Sequence, residues 1–128
     1  MDMKLRRYAG TKGSALILDT GGHPADRKEW QLVCCRSLTL PVDTLILGPL
    51  GAEQPFRMMV LDLDGLTVPM GQREAEVFAA FLQDEGYAPW GTVYVTDGTT
   101  AYAVPAGHHG WRAVSAPEGL RLQRLLGL

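Results

Sequence analysis

Apolar residues in this chain fall into short runs closed by glycine, proline or aspartate, and two kinds of run can be told apart. Brief β-branched or alternating stretches predict strands, whereas one longer stretch carries apolar residues on nearly every side of a helix. Residues 4–8 (KLRRY) predict a first strand, broken by the glycine-containing turn at 9–13 (AGTKG). Residues 15–19 (ALILD) form an apolar run between turn residues, the signature of a buried strand. After a loop at 20–24, Asp26 is placed to cap a helix over 27–36 with Trp30, Val33 and Cys34 on one face. Pro41 ends that connection, residues 44–47 (TLIL) predict the next strand, and the proline- and glycine-rich stretch 48–55 a loop.

The stretch 57–86 organises the rest. An apolar run at 58–63 leads through Asp64-Gly65 and a short loop to a helix opening near Gly71. Ala75, Val77, Phe78, Ala79, Phe81 and Leu82 make that helix apolar nearly all round. A surface helix keeps a polar face, so this one is expected at the centre, wrapped by strands. Gly86 stands where a C′ glycine stops a helix. Residues 92–96 (TVYVT) predict a strand, Asp97-Gly98 a hairpin turn and 100–104 the returning strand. A turn at 107–110 (GHHG) precedes a strand over 111–115, and the leucine-rich residues 117–128 suit a final helix. The expectation is a single α+β domain over 1–128, with its core in 1–115.

Composition narrows the function classes. At 128 residues, 46% hydrophobic and 20% charged, the chain has the make-up of a soluble globular domain able to bury a core. A net charge of −2 without a basic stripe predicts no nucleic-acid partner. No apolar run is long enough for a membrane span, and the basic N-terminus lacks the apolar segment of a secretory signal. A cytoplasmic location is expected. Cys34 and Cys35 are adjacent, too close along the chain to bridge readily. With no C-x-x-C or other ligand spacing, neither a disulfide framework nor a metal or cofactor is expected. Cys34 reads as a small core residue.

Candidate chemistry is sparse. His23, His108 and His109 read as turn residues rather than metal ligands. Ser14, Ser37 and Ser115 lack a G-x-S-x-G elbow, and Gly10-Thr11-Lys12-Gly13 lacks most of the phosphate-loop pattern. The N-terminus of the central helix is the better candidate. Free amides around Gly71, Gln72 and Arg73, with the helix dipole, attract an anion such as a carboxylate, and Arg73 adds charge. Glu74 and Glu76, acids in the first turn, offer the competing account that the dipole is already satisfied.

The order of elements and several local strings resemble the N-terminal half of the diaminopimelate epimerase family. Its members are two-lobed isomerases in which each lobe wraps a mixed or antiparallel sheet around a central helix. The family's opening strand, His-Gly-Leu-Gly-Asn-Asp-Phe turn and apolar strand ending in Asp are similar to Tyr8-Ala9-Gly10-Thr11-Lys12-Gly13-Ser14-Ala15 and 16–19. Its Gly-Phe-Asp-Gln resembles Pro41-Val42-Asp43-Thr44, and its Asn-x-Asp-Gly resembles Asp62-Leu63-Asp64-Gly65. The helix pattern Ala-Arg-x-Phe-Ala-x-Phe is similar to Ala75-Glu76-Val77-Phe78-Ala79-Ala80-Phe81, and the later Ser-Thr-x-x-Gly hairpin to Val95-Thr96-Asp97-Gly98. The likeness runs from about residue 4 to 115.

The departures fall on the family's chemistry. Where a Cys-Gly-Asn-Gly segment opens the family's central helix and its cysteine exchanges the substrate's α-proton, this chain has Gly71-Gln72-Arg73-Glu74, with Met70 just before. Neither methionine nor glycine transfers protons. The substrate-binding Asn of the early turn falls at Gly13, the Asn before Asp-Gly at Asp62, and the second lobe is absent from this sequence.

Two readings follow. In one, the chain is a non-catalytic half-domain that binds a small carboxylate or a protein partner, with a homodimer restoring the burial that a twin lobe provides. Its ligand-binding candidates are Lys12, Gly13, Ser14, Asp62, Gly71, Gln72 and Arg73. In the other, it is an isomerase, racemase- or epimerase-like, acting on an amino or hydroxy acid with a base other than cysteine. Asp62, Lys12 and Asp64 are that reading's candidate bases. The binding reading is preferred, because the missing groups are those the chemistry depends on.

Overall fold

The computed structural model describes residues 4–23, 42–62 and 66–114. The helix expected over 27–36, both cysteines, the Asp64-Gly65 turn and the helix expected over 117–128 lie outside them. The chain begins with a hairpin of β1 (Lys4–Gly10) and β2 (Gly13–Asp19), paired antiparallel from Lys4↔Asp19 to Gly10↔Gly13. β3 (Thr44–Gly48) lies parallel to β2, with Ile46 opposite Ile17. Alternate residues of β2 and β3 point to opposite faces. Ala15, Ile17 and Ile46 join one core cluster, while Leu16, Leu18, Leu45 and Leu47 on the other face are equally buried. Burial on both faces is why these strands read as continuous apolar runs rather than alternating ones.

The expected apolar run at 58–63 supplies one strand, and the residues just before it supply a strand of the other sheet. β4 (Phe56–Arg57), ahead of the run, pairs parallel with β7 (Val93–Thr96). β5 (Met59–Leu61), within it, pairs antiparallel with β3. Between them Met58 donates its backbone N–H to Thr96 O at 3.0 Å, the last bond on the β7 side before the chain crosses over. β6 (Thr67–Val68) returns against β5, and β8 (Ala101–Val104) forms a hairpin with β7. β9 (Trp111–Val114) pairs with β1. The result is a six-stranded sheet in the order β6-β5-β3-β2-β1-β9 and a three-stranded sheet in the order β4-β7-β8.

Helix α1 (Gln72–Asp84) lies against β3 of the larger sheet and β7 and β8 of the smaller. Residues 75–82 are all buried, as the ring of apolar positions requires. Phe78, Phe81, Val77 and Leu82 share a core with Tyr8, Phe56, Met58, Val60, Val93, Val95, Val104 and Trp111. Each large side chain so buried contributes about 1.5–3 kcal/mol. Phe78 and Phe81 stack at 5.8 Å between ring centroids, and Phe81 meets Tyr87 at 6.0 Å. At the far end Gly86, at φ 80°, takes the left-handed conformation that stops a helix, and its N–H bonds Gln83 O. The fold is a mixed α+β arrangement, mostly sheet with one described helix. Among the described residues no helix is long and apolar enough to cross a membrane.

Candidate functional site

The β1–β2 turn is carried to the N-terminal end of α1, and the two are joined by charge. Lys12 Nζ donates to both oxygens of Glu76, at 3.1 and 2.8 Å. The Glu76 side chain is only 8% exposed and that of Lys12 45%, so the ammonium closes a buried carboxylate from the solvent side. His109 completes the group. Its Nε2–H donates to Pro105 O at 2.7 Å, which leaves Nδ1 facing Glu76 Oε2 at 3.7 Å. A buried carboxylate is costly unless paired in this way. An acid on a helix buried all round was therefore the sequence signal that a cation had to arrive from elsewhere.

A second set of contacts ties the same turn to β3. The Asp43 carboxylate accepts from Ser14 N at 2.9 Å, and Asp43 N donates to Ser14 O at 3.0 Å. Arg73 Nη1 donates to Lys12 O at 3.1 Å and lies 3.9 Å from Asp43 Oδ2, while Arg73 Nε is 3.7 Å from Glu74 Oε2. Gly13 sits at φ 128°, and a Cβ there would collide with the Asp43 carboxylate and come within 3.0 Å of Arg73 Nη1. Only glycine suits both the backbone and the space.

The helix start itself is held from the smaller sheet. Gly71 is the N-cap and has no side-chain cap bond. Asp97 Oδ2 accepts the Met70 N–H at 3.0 Å, while Oδ1 accepts from Thr99 and Thr100 at 2.9 and 2.8 Å. The Thr100 amide, with those of Met70 and Thr99, holds the Asp97 carboxyl below its ordinary pKa. The Glu74 carboxylate folds back toward the cap, 3.3 Å from where a Cβ on Gly71 would stand. Lys12, Gly13, Ser14, Gly71 and Arg73 are thus brought to one region, with Gln72 exposed beside them. Asp62 is used differently, closing the β5–β6 turn by accepting from Leu66 N at 2.9 Å. Met70, just before the Gly71 N-cap, is buried.

The opposite end of α1 carries a second polar cluster that composition did not reveal. Tyr8 Oη donates to Asp84 Oδ2 at 2.7 Å, and His108 Nε2 lies 2.8 Å from Asp84 Oδ1. Arg6 Nε pairs with Glu85 Oε1 at 2.6 Å. Tyr87 Oη donates to the buried Asp19 at 2.6 Å. Burial first, then the hydrogen bond to its acid, raises the pKa of each of the two phenols.

Chemically, the N-terminal cluster is already neutralised from within. Two cations, Lys12 and Arg73, face three carboxylates, Asp43, Glu74 and Glu76, so an incoming anion meets no surplus of positive charge. Among the described residues no group of three or more His, Cys, Asp or Glu side chains is placed to hold a metal ion. No protein-family model matches this sequence, and no curated protein matches it.

Proposed function

We propose that this chain is a non-catalytic, diaminopimelate epimerase-like half-domain that acts by binding a protein partner, in the first instance a second copy of itself. The observation that carries this reading is the Lys12–Glu76 pair at the start of α1. In the resembled family the opening of the central helix supplies the cysteine that exchanges the substrate's α-proton. Here Gly71 stands at that position with the buried Met70 just before it, and Lys12, one of the candidate bases, is committed to a buried acid. Asp62, the other described candidate base, bonds its own turn. A general base needs a lone pair within reach of a substrate proton, and these groups are otherwise engaged.

Of the two binding readings, the protein partner is favoured over a free carboxylate. The cations that would draw an anion face three acids, whereas aromatic surface is left in solvent at Trp90 and Tyr94. Exposed aromatics of this kind are common anchors of protein interfaces. Sedimentation velocity at micromolar concentration is expected to give twice the 14.0 kDa chain mass. A clean monomer sinks the self-association. Incubation with pooled amino and hydroxy acids in deuterated water is expected to give no catalysed α-deuteration. Exchange abolished by Asp62→Asn would overturn the non-catalytic reading.

A further inference from the structure

The smaller sheet ends on β8, and the hydrogen bonds of its neighbour β7 fix which way the β8 backbone faces. In an antiparallel ladder, pairs that exchange N–H···O bonds alternate with pairs whose polar groups point away from each other. Thr96 O accepts from Met58 N at 3.0 Å, and Tyr94 N–H donates to Gln54 Oε1 at 3.1 Å, so both residues face the β4 side. The Asp97 N–H bond to Thr100 O, at 3.2 Å, sets the same phase at the hairpin. Opposite Thr96 and Tyr94 in the register stand Ala101 and Ala103. Both alanines therefore turn their N–H and C=O outward, and both are exposed. Among the described residues none bonds these four groups. The opening is short and closed at each end. Pro105 has no N–H, and its carbonyl accepts from His109 Nε2, while the Thr99 N–H is taken by Asp97 Oδ1.

We infer that β8 pairs antiparallel with β8 of a second copy, about a two-fold axis through Tyr102, joining two three-stranded sheets into one continuous sheet. The inference rests on the self-association proposed above and names the edge that performs it. An isologous contact must be self-complementary, and this edge is. With Ala101 opposite the partner's Ala103, each alanine pair exchanges two N–H···O bonds and all four open groups on each copy are satisfied. A shift of register leaves some of them unmet. Residues 98–105 carry no charge, so no like charges meet across the axis. Natural edges are commonly guarded by a lysine or a bulge, yet here the two open positions bear only methyl groups. Alanine is a weak strand former, so local preference does not account for two of them. Across the axis their size has a use. Tyr94 shares their face of the sheet, half-exposed at 52%, and the small residues leave its ring room over the second strand. On the inner face Tyr102, partly packed on the core, meets its own counterpart in a pair that exchanges no backbone bonds, where side chains approach most closely.

Sedimentation velocity of the full chain and four-position variants of the edge test this, with amide exchange as a second readout. The wild type is expected as a dimer, with exchange at the Ala101 and Ala103 amides slowing as protein concentration rises. Ala103→Pro removes only an outward donor, since the bonds to β7 come from its neighbours, and should give a monomer. Ala101→Lys with Ala103→Lys sets like charges opposite each other and should weaken the dimer about tenfold or more. Ala101→Lys with Ala103→Glu sets opposite charges across the same register and should restore it. Unchanged NMR shifts at Ile46 and Phe78 show that each variant is folded. A monomeric wild type overturns the self-association and this inference together. A wild-type dimer that survives Ala103→Pro, or whose Ala101 and Ala103 amides exchange at a rate independent of concentration, leaves self-association standing and overturns the edge. Failure of the lysine–glutamate variant to outpair the double lysine overturns the register and the inference with it.

Discussion

The two ends of α1 carry acids in unlike electrostatic settings. Glu74 and Glu76 lie near the N-terminus, where the helix dipole favours negative charge. Asp84 and Glu85 lie at the C-terminus, where it opposes them, and the last turn holds no basic residue to compensate. The strands make good the difference. Tyr8 and Arg6 of β1 and His108 of the β8–β9 loop each meet one of the C-terminal acids. At the N-terminus one acid is buried and closed over by Lys12, whereas at the C-terminus the pairs are partly open to solvent. The same residue types therefore do different work. The buried pair holds a loop to the helix, and the exposed pairs mainly correct an unfavourable dipole.

That contrast is open to test, beginning with the largest effect. Lys12→Ala should lower stability to urea by about 2 kcal/mol, because it strands Glu76 in the interior. Adding Glu76→Gln should recover part of the loss, as a double-mutant cycle would register. Asp97→Asn should cost about 1 kcal/mol by loosening the entry to α1. Its pH dependence has a defined sign. The Asp97 carboxyl is held low in the fold, so its contribution is present above the unfolded value near 4 and lost as pH falls through the folded value. The Asn variant should lose stability less steeply in acid.

Tyr8→Phe should cost about 1 kcal/mol at neutral pH, the worth of one partly buried hydrogen bond. The raised phenol works in the opposite direction to Asp97. Its stabilisation is full below the unfolded value near 10 and is lost as pH rises toward the folded value, so the Phe variant should be less sensitive to alkali. Tyr87, raised for the same reasons, should retain part of that sensitivity. The smallest effect is Arg6→Ala, below about 0.5 kcal/mol for a pair so open to water. A cost for Arg6→Ala exceeding that of Lys12→Ala would reverse the ranking of the two ends.

Much of the fold was legible before any coordinates. The buried strands around Ile17 and Ile46 lacked alternation because both faces are covered, and the turn at Asp97-Gly98 announced its hairpin. The central helix was legible because Ala75, Val77, Phe78, Phe81 and Leu82 allow no polar face. The separate strand at 56–57, paired to the other sheet just ahead of the 58–63 run, was not legible. Which edge a strand pairs with depends on neighbours distant in sequence, and periodicity reports only local geometry.

The candidate site shows the same division. Arg73 could be singled out by helix position, and Lys12, Gly13 and Ser14 by the family resemblance of their turn, yet their partners could not. Lys12 meets Glu76 across 64 residues and Asp43 meets Ser14 across 29. The helix dipole, the stop at Gly86 and the need for glycine in the first hairpin follow from local backbone chemistry, so the sequence by itself determined them. Only the tertiary structure decided that the helix start is filled by the protein's own charges. Solvation of a carboxylate is set by everything packed around it, and that packing exists only once strands far apart in the chain have met.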